Sequence, residues 1–296
     1  MTGTDPTTAR FEQQRARLRS VAYRMLGSTS EAEDAVQEAW LRLNRTDSRE
    51  VENLDAWLTT VVARISLNML RSRRARREEP DDAVRVPDPV VGPVDPAAGP
   101  EQQAELADSV GLALLVVLDT LSPAERLAFV LHDMFAVPFE EIAPMVERTP
   151  AAARQLASRA RRRVRGQAPV PDPDLARQRS VVDAFFAAAR DGDFDGLVAV
   201  LHPEVVLRSD GGAARTRHTT VLTGAETVAS QALTFGKLSP FVRPALVNGA
   251  AGVVVAAGGR PMSVMGFTVV DGLVVAIDVV ADPERLTGLD PAVLDG

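Results

Sequence analysis

The sequence predicts a multidomain chain in which two all-α domains precede an α+β domain, and three observations predict it. Apolar residues recur at three- and four-residue spacing through residues 1–79 and again through 106–166, the period of amphipathic helices. Between these blocks, "PDDAVRVPDPVVGPVDPAAGP" packs six prolines and two glycines among acids with no apolar period. Beyond 167, β-rich runs are separated by Asn248-Gly249, Gly258-Gly259 and Asp271-Gly272, the dipeptides that two-residue hairpin turns prefer. At 296 residues the chain has room for two or three separate cores.

The first helix places Phe11, Leu18, Val21, Ala22, Met25 and Leu26 on one face and stops at Gly27. Ser30, with Glu33 three positions on, reads as a capping box for a second helix carrying Ala32, Ala35, Val36, Ala39, Trp40 and Leu43. A third helix, from Asn53 or Leu54, aligns Leu54, Leu58, Val61, Ile65 and Met69 and runs on into "RSRRARR". Residues 80–105 read as an acidic, proline-rich linker, extended or mobile. Helical spacing resumes at Leu106. Ser122-Pro123 then opens a further helix with an N-cap and Pro at the first position. Helices over 138–146 and 150–165, joined by "VERT", have the layout of a helix-turn-helix, with Thr149-Pro150 capping the second. Pro144 lacks an amide donor, so the first of these two helices should kink or end early. After a short linker, 167–174, a helix over 175–190 buries Val181, Val182, Phe185 and Phe186, and a shorter one ends near Leu201. The runs "EVVLRSD", "FVRPALV", "GVVVAAG", "MSVMGFTVV" and "LVVAIDVV" follow as strands of a curved sheet wrapped around helices.

The formal charge of −7 is unevenly spread. Residues 1–79 and 110–168 are each +2, whereas 80–109 is −6 and 169–296 is −5. Charge acts within a Debye length of roughly 10 Å, so the two helical blocks offer basic surfaces despite the acidic total. Cysteine is absent, which excludes disulfides, thiolate metal sites and cysteine nucleophiles and suits a reducing cytoplasm. The polar N-terminus carries no secretory core, and no uninterrupted apolar run of about 18 residues suggests a membrane span. We therefore expect a soluble cytoplasmic protein with no metal and no cofactor.

The helix over 150–165 turns Ala153, Leu156, Ala157, Ala160 and Val164 inward and leaves Ala151, Arg154, Gln155, Ser158, Arg161 and Arg162 outward. In a helix-turn-helix the start of the second helix meets base edges, where Arg chelates guanine and Gln adenine, while later arginines reach phosphate. A solvated basic helix end favoured by the dipole gives the same pattern. A second basic stretch, Arg64 to Arg77, follows Trp57, a pairing suited to unstacked bases. On the second helix, Glu31, Asp34 and Glu38, with Gln37, make an acidic face that could be solvent surface or a dock for a basic partner.

The order of "STSEAEDAVQEAWLRL", "WLTTVVARISLNMLRSRRARR" and "LSPAERLAFVLHDMFAVPFEEIA…TPAAARQLASRARRRV" resembles the sigma-70 family. More narrowly it is similar to extracytoplasmic-function sigma factors of the SigJ-type subgroup, which carry a C-terminal SnoaL-like domain of the NTF2-like fold. The resemblance implies sigma region 2 over 1–79 and region 4 over 106–166, with the SnoaL-like domain over 175–296. It implies that RNA polymerase core is bound through its β′ clamp helices, by Asp34, Gln37 and Glu38, and through its β flap. It also implies that promoter DNA is read at the −10 element by Trp57, Arg64, Asn68 and Arg71, where many family members have Asp in place of Asn68. Ala151, Arg154, Gln155, Ser158, Arg161 and Arg162 are implied readers of the −35 element.

SnoaL-like folds host acid–base enzymes. Tyr23, the only tyrosine, lies outside the domain, leaving His202, Asp210, His218 and Asp278 as candidate pocket groups, none of them assigned as catalytic. The resemblance points instead to regulation in cis, through a "DGGGK"-like and an "NPDKL"-like motif. Here these read "DGGAAR", with Asp210, Gly211 and Gly212, and "DPERL", with Asp282, Pro283, Glu284, Arg285 and Leu286. The subgroup's "WLPEP"-like linker motif is matched only by the prolines and acid of "VPDPVVGP", without its tryptophan. An unknown small ligand in the cone could bias such regulation only by its differential affinity for two states. The alternative is a stand-alone helix-turn-helix regulator with a ligand-sensing or enzymatic SnoaL-like domain, which leaves residues 1–79 without a role.

Overall fold

The computed structural model describes residues 6–46, 51–76, 84–94, 110–287 and 289. Contacts divide the chain into two compact units, residues 1–81 with 117–167, and residues 82–116 with 168–296.

In the first unit, α1 (Pro6–Leu26), α2 (Thr29–Leu43) and α3 (Leu54–Arg76) pack together. Phe11, Leu18, Val21, Ala22, Met25 and Leu26 are all buried, as their spacing predicts, and Gly27 ends α1 in the left-handed region at φ 67°. The capping box was placed two residues late. Ser28 caps α2 by accepting from the Glu31 amide, while Ser30 sits inside the first turn and is exposed.

The start of helical spacing at Leu106 lies outside the described residues. A short helix, α4 (Leu112–Asp119), leads to α5 (Pro123–Phe129), where Ser122 and Glu125 form a capping box with Pro123 at the first position. The chain continues through a π-helical turn, Val130–Met134, to α6 (Phe139–Ile142). The helix ahead of Pro144 ends early, as expected, and Ala143–Met145 tightens into a 3₁₀ turn. Glu147 takes the left-handed conformation at φ 55° to turn the chain, and Thr149 caps α7 (Pro150–Gln167) by accepting from the Ala152 amide at 3.2 Å.

The second unit is α+β. Helices α8 (Leu175–Asp191), α9 (Phe194–Val200) and α10 (Ala225–Phe235) accompany seven strands: β1 (Val91–Gly92), β2 (Leu201–Asp210), β3 (Thr220–Thr223), β4 (Val242–Val247), β5 (Ala250–Ala257), β6 (Arg260–Val270) and β7 (Leu273–Val280). A last turn of helix, α11, spans Pro283–Leu286. The sheet order is β1-β4-β5-β6-β7-β2-β3; β2 runs parallel to β7 and the other neighbours are antiparallel. All three hairpin dipeptides adopt left-handed φ at both residues, as type I′ turns require.

Two strands and two short helices lie outside the elements expected from the sequence. β3 is a four-residue edge strand, α10 mixes small and apolar residues, α11 is a single turn, and β1 lies within the supposed linker. Successive strand residues face opposite sides, which fixes what each side of the sheet does. Val205, Leu207, Val253, Phe267 and Ile277 face α8 and α10 and join Val182, Phe185, Val228 and Ala229 in one apolar core. Phe185 and Phe267 meet edge to face with ring centres 5.5 Å apart. Arg208, Asp210, Gly266 and Asp278, at the alternate positions, lie on the other face.

Candidate nucleic-acid interface and linker clamp

Ion pairs within the helical unit decide which charges remain on its surface. Glu31 binds Arg73 of α3, and Glu33 binds Arg15 of α1, so these two acids of α2 are engaged by the neighbouring helices. Asp34 and Gln37 are exposed beside them, and Glu38 is bound within its own helix to Arg42 at 2.9 Å. Leu41 lies on the same side one turn later and is 43% exposed, an apolar side chain that the sequence reading did not single out. On α3, Arg64, Asn68 and Arg71 are exposed at spacings of four and three, which puts them in one stripe; Trp57 is half-buried a further two turns towards the start.

The helix-turn-helix sorts the arginines of "LASRARRRVRG" into two sets. Arg159 donates to Glu125 at 3.1 Å, Arg163 to the Thr120 carbonyl at 3.1 Å, and Arg161 to Asp133 at 2.6 Å, all within the domain. Burial alone would raise the Glu125 carboxyl, but the Ser122 hydroxyl and amide, with Arg159 and Arg163, outweigh it and hold the group below its ordinary value. Ala151, Arg154, Gln155, Ser158 and Arg162 are exposed, with Arg154 lying 5.3 Å over the ring of Phe139. Beneath them Ala153, Ala157 and Ala160 are buried, and their small side chains let α7 approach its neighbours closely. Leu156 and Val164, expected inward, are half-buried.

The Asp210–Gly212 and Asp282–Leu286 motifs converge in the second unit, and what they hold is the linker. Asp210 ends β2, and its carboxylate accepts from the Gly212 amide at 3.0 Å, the Val86 amide at 3.0 Å and Arg285 at 2.7 Å. Arg285 also donates to Asp88 and to the Val86 carbonyl. Its guanidinium fork therefore grips Val86 and Asp88 of the linker and Asp210 of the sheet, a planar multidentate geometry that lysine cannot reproduce. Asp282 sets Arg285 in place by capping α11, accepting from the Glu284 amide with Pro283 at the first position, while Leu286 is buried. Gly212, at φ 61°, lies against Asp282 so closely that a Cβ there would overlap the carboxylate, and a Cβ at Gly211 would overlap the Arg215 carbonyl. This is why the turn reads Asp-Gly-Gly. Farther along the linker, Val91 and Gly92 pair with Val247 and Leu246 as an added edge strand. The segment is extended, one of the two states expected of it, and Val86, Asp88, Val90, Val91 and Gly92 are docked rather than mobile, without the tryptophan of the subgroup's motif.

Known proteins resemble both units. Family models for Sigma-70 region 2 and Sigma-70 region 4 match residues 10–76 and 111–164. The ECF RNA polymerase sigma factor SigJ of Mycobacterium tuberculosis is 40% identical over 94% of this chain and 92% of its own. The probable ECF sigma factor SigI of the same species is 37% identical over 77% of this chain and 76% of its own. The chain is an extracytoplasmic-function sigma factor. A crystal structure of Mycobacterium tuberculosis SigJ overlays on it with a TM-score of 0.75 at 38% identity, covering 95% of this chain and 98% of that one. The match runs through both sigma regions and the C-terminal domain, so the stand-alone regulator is not favoured. The sigma factor binds RNA polymerase and promoter DNA, and no described helix is long and apolar enough to cross a membrane.

In this sigma factor the four acid–base candidates of the C-terminal domain are dispersed. Asp210 is committed to the linker. His202 accepts from the Glu204 amide at 3.1 Å at the irregular start of β2, and His218 is exposed. Asp278 is buried on the linker-side face, 3.0 Å from Arg208. Burial pushes its carboxyl above the ordinary value, and the charge and hydrogen bond of Arg208 offset that only in part. The core on the other face is made of apolar side chains.

Proposed function

We propose that the C-terminal domain regulates this sigma factor in cis by holding the linker that joins region 2 to region 4. The reading is carried by the grip of Arg285 and Asp210 on Val86 and Asp88. A linker held at that point restricts how readily the two sigma regions spread onto polymerase and promoter. The domain then works by binding and not by catalysis, and a small ligand would act only by favouring the held or the released linker.

Within the sigma regions, Asp34, Gln37 and Glu38, joined by Leu41, engage the β′ clamp helices, and region 4 sits on the β flap. The stripe of Trp57, Arg64, Asn68 and Arg71 receives the opened −10 element. Arg154, Gln155 and Ser158 meet base edges of the −35 element beside Ala151, while Arg162 faces phosphate and Arg161, held by Asp133, contributes less. Polymerase and template place this activity in the cytoplasm.

The test is truncation after Gly166, with run-off transcription from a cognate promoter by purified core polymerase. Altered output or altered core affinity supports regulation in cis. Unchanged output together with unchanged affinity overturns it.

A further inference from the structure

Asn248 opens the β4–β5 hairpin, and its sequence signal is fully accounted for by the turn. Its side chain does something the turn does not need. The residue is buried, its Oδ1 accepts from the Val90 amide at 3.0 Å, and its Nδ2 donates to the Val110 carbonyl at 2.9 Å. The Asn248 amide also donates to the Val90 carbonyl at 2.8 Å. One carboxamide thus joins two points of the linker that lie twenty residues apart in sequence. The carboxamide offers an acceptor for one and, on a separate atom, a donor for the other. A second observation places the same linker end: Leu112 seats against Gly266 of β6, where an added Cβ would come within 3.1 Å of its Cδ2.

The consequence is a matter of length. An extended chain spans about 3.3–3.6 Å per residue, so the linker from Arg76 to Leu112 can reach about 120–130 Å. Closing it at Asn248 removes the segment from Val90 to Val110, about 65–70 Å of that reach, and leaves about 55–60 Å. The −10 and −35 elements are by their numbering 25 base pairs apart, about 85 Å of duplex at roughly 3.4 Å per base pair. An open linker overshoots that span with slack. A closed one falls short of it and leaves the rest to the bodies of the two sigma domains.

We propose that Asn248 is a specificity-determining staple: by closing the linker it sets which promoter spacer lengths this sigma factor accepts. The proposal rests on the cis-regulatory reading above and names the residue and the promoter property through which that regulation is exerted.

The experiment is run-off transcription by core polymerase with the full-length chain, on templates differing only in spacer length by one to three base pairs in either direction. Asn248→Gly keeps the left-handed turn, which glycine adopts freely, and deletes both side-chain arms. Asn248→Asp keeps the Val90 arm and turns a carboxylate oxygen towards the Val110 carbonyl. For the unaltered chain, output is expected to fall about tenfold within two base pairs of the best spacer; for Asn248→Gly, about threefold or less over the same range, with similar output at the best spacer. Asn248→Asp is expected to lie between them and serves alone if the glycine variant does not fold. Hydrogen exchange at the Val90 amide should quicken at least about tenfold in Asn248→Gly. Identical spacer profiles, or a Val90 amide as protected as before, would overturn the staple. If truncation after Gly166 alters transcription while Asn248→Gly keeps the original profile, the staple falls and cis regulation stands; if truncation changes nothing, the broader reading falls first.

Discussion

Arginine does opposite work in the two units. On α7, Arg159, Arg161 and Arg163 hold acids of their own domain with side chains 51%, 32% and 45% exposed. Beside the sheet, Arg285 holds two carboxylates and a carbonyl with its side chain 18% exposed. Exposed pairs contribute about 0–1 kcal/mol and are screened by salt, so an arginine on α7 can exchange its carboxylate for a phosphate at little cost. A multiply bonded guanidinium set on buried carboxylates cannot be removed so lightly, because the carboxylates left behind are desolvated charges. The difference teaches that arginine content says little by itself. Depth decides whether the residue is available to a polyanion or reserved for the chain's own linker.

The sharpest way to break this contrast is Arg285→Ala. It takes the guanidinium away from Asp88 and Asp210, both buried, and should destabilise the C-terminal domain by about 3–5 kcal/mol, read by denaturant unfolding. The Val86 amide should lose hydrogen-exchange protection at the same time. Arg285→Lys should recover only part of the loss, since a compact ammonium cannot serve three acceptors in one plane. A loss under about 1 kcal/mol for the alanine variant would put Arg285 in the same class as the arginines of α7.

A smaller effect separates two neighbours on α7. Arg162 is exposed, whereas Arg161 is engaged by Asp133. Arg162→Ala should weaken binding of region 4 to −35 duplex and reduce the slope of log affinity against log salt by about 1, as loss of one phosphate contact does. Arg161→Ala should change that slope by less and instead cost about 0.2–1 kcal/mol of stability. Salt titration of duplex binding with both variants checks this; equal slopes for both would mean that Arg161 abandons Asp133 for DNA.

Much of this arrangement was legible in the sequence because local periodicity and turn chemistry act over a few residues. The buried face of α1, the early end forced by Pro144 and the three left-handed hairpin turns are all effects of near neighbours. The Ser28 cap was missed because two serines two residues apart both satisfy a capping pattern, and only the backbone path selects one. The clamp was half legible: "DGG" and "DPERL" stood out by resemblance, but their targets did not. Arg285 lies 197 residues from Asp88, and Asn248 lies 158 from Val90, separations at which no periodic signal survives. Proline and acid content fits the extended chain described over residues 84–94. It could not reveal that an extended strand would find an edge to pair with, because that depends on the free edge of β4.

The finest test of the comparison lies within the C-terminal domain, where Arg208 and Asp278 form a pair as buried on the acidic side as that of Arg285 but with a single bond. Burial raises the Asp278 carboxyl, so the folded state favours the proton. A raised folded pKa stabilises fully below the unfolded value, near 3.9, and that contribution is lost as pH rises through the folded value. At neutral pH, where this carboxyl is ionised in the unfolded chain, burying Asp278 is therefore a net cost that Arg208 offsets only partly. Asp278→Asn removes the titration and leaves Arg208, 26% exposed, able to reach water. The variant should match the unaltered chain in acid and become equally or more stable, by about 1 kcal/mol, at neutral pH. Urea unfolding at both ends of that range measures the difference. If the variant is instead weaker at neutral pH, the pair holds the sheet as Arg285 holds the linker, and burial rather than the number of bonds made is what commits an ion pair to structure.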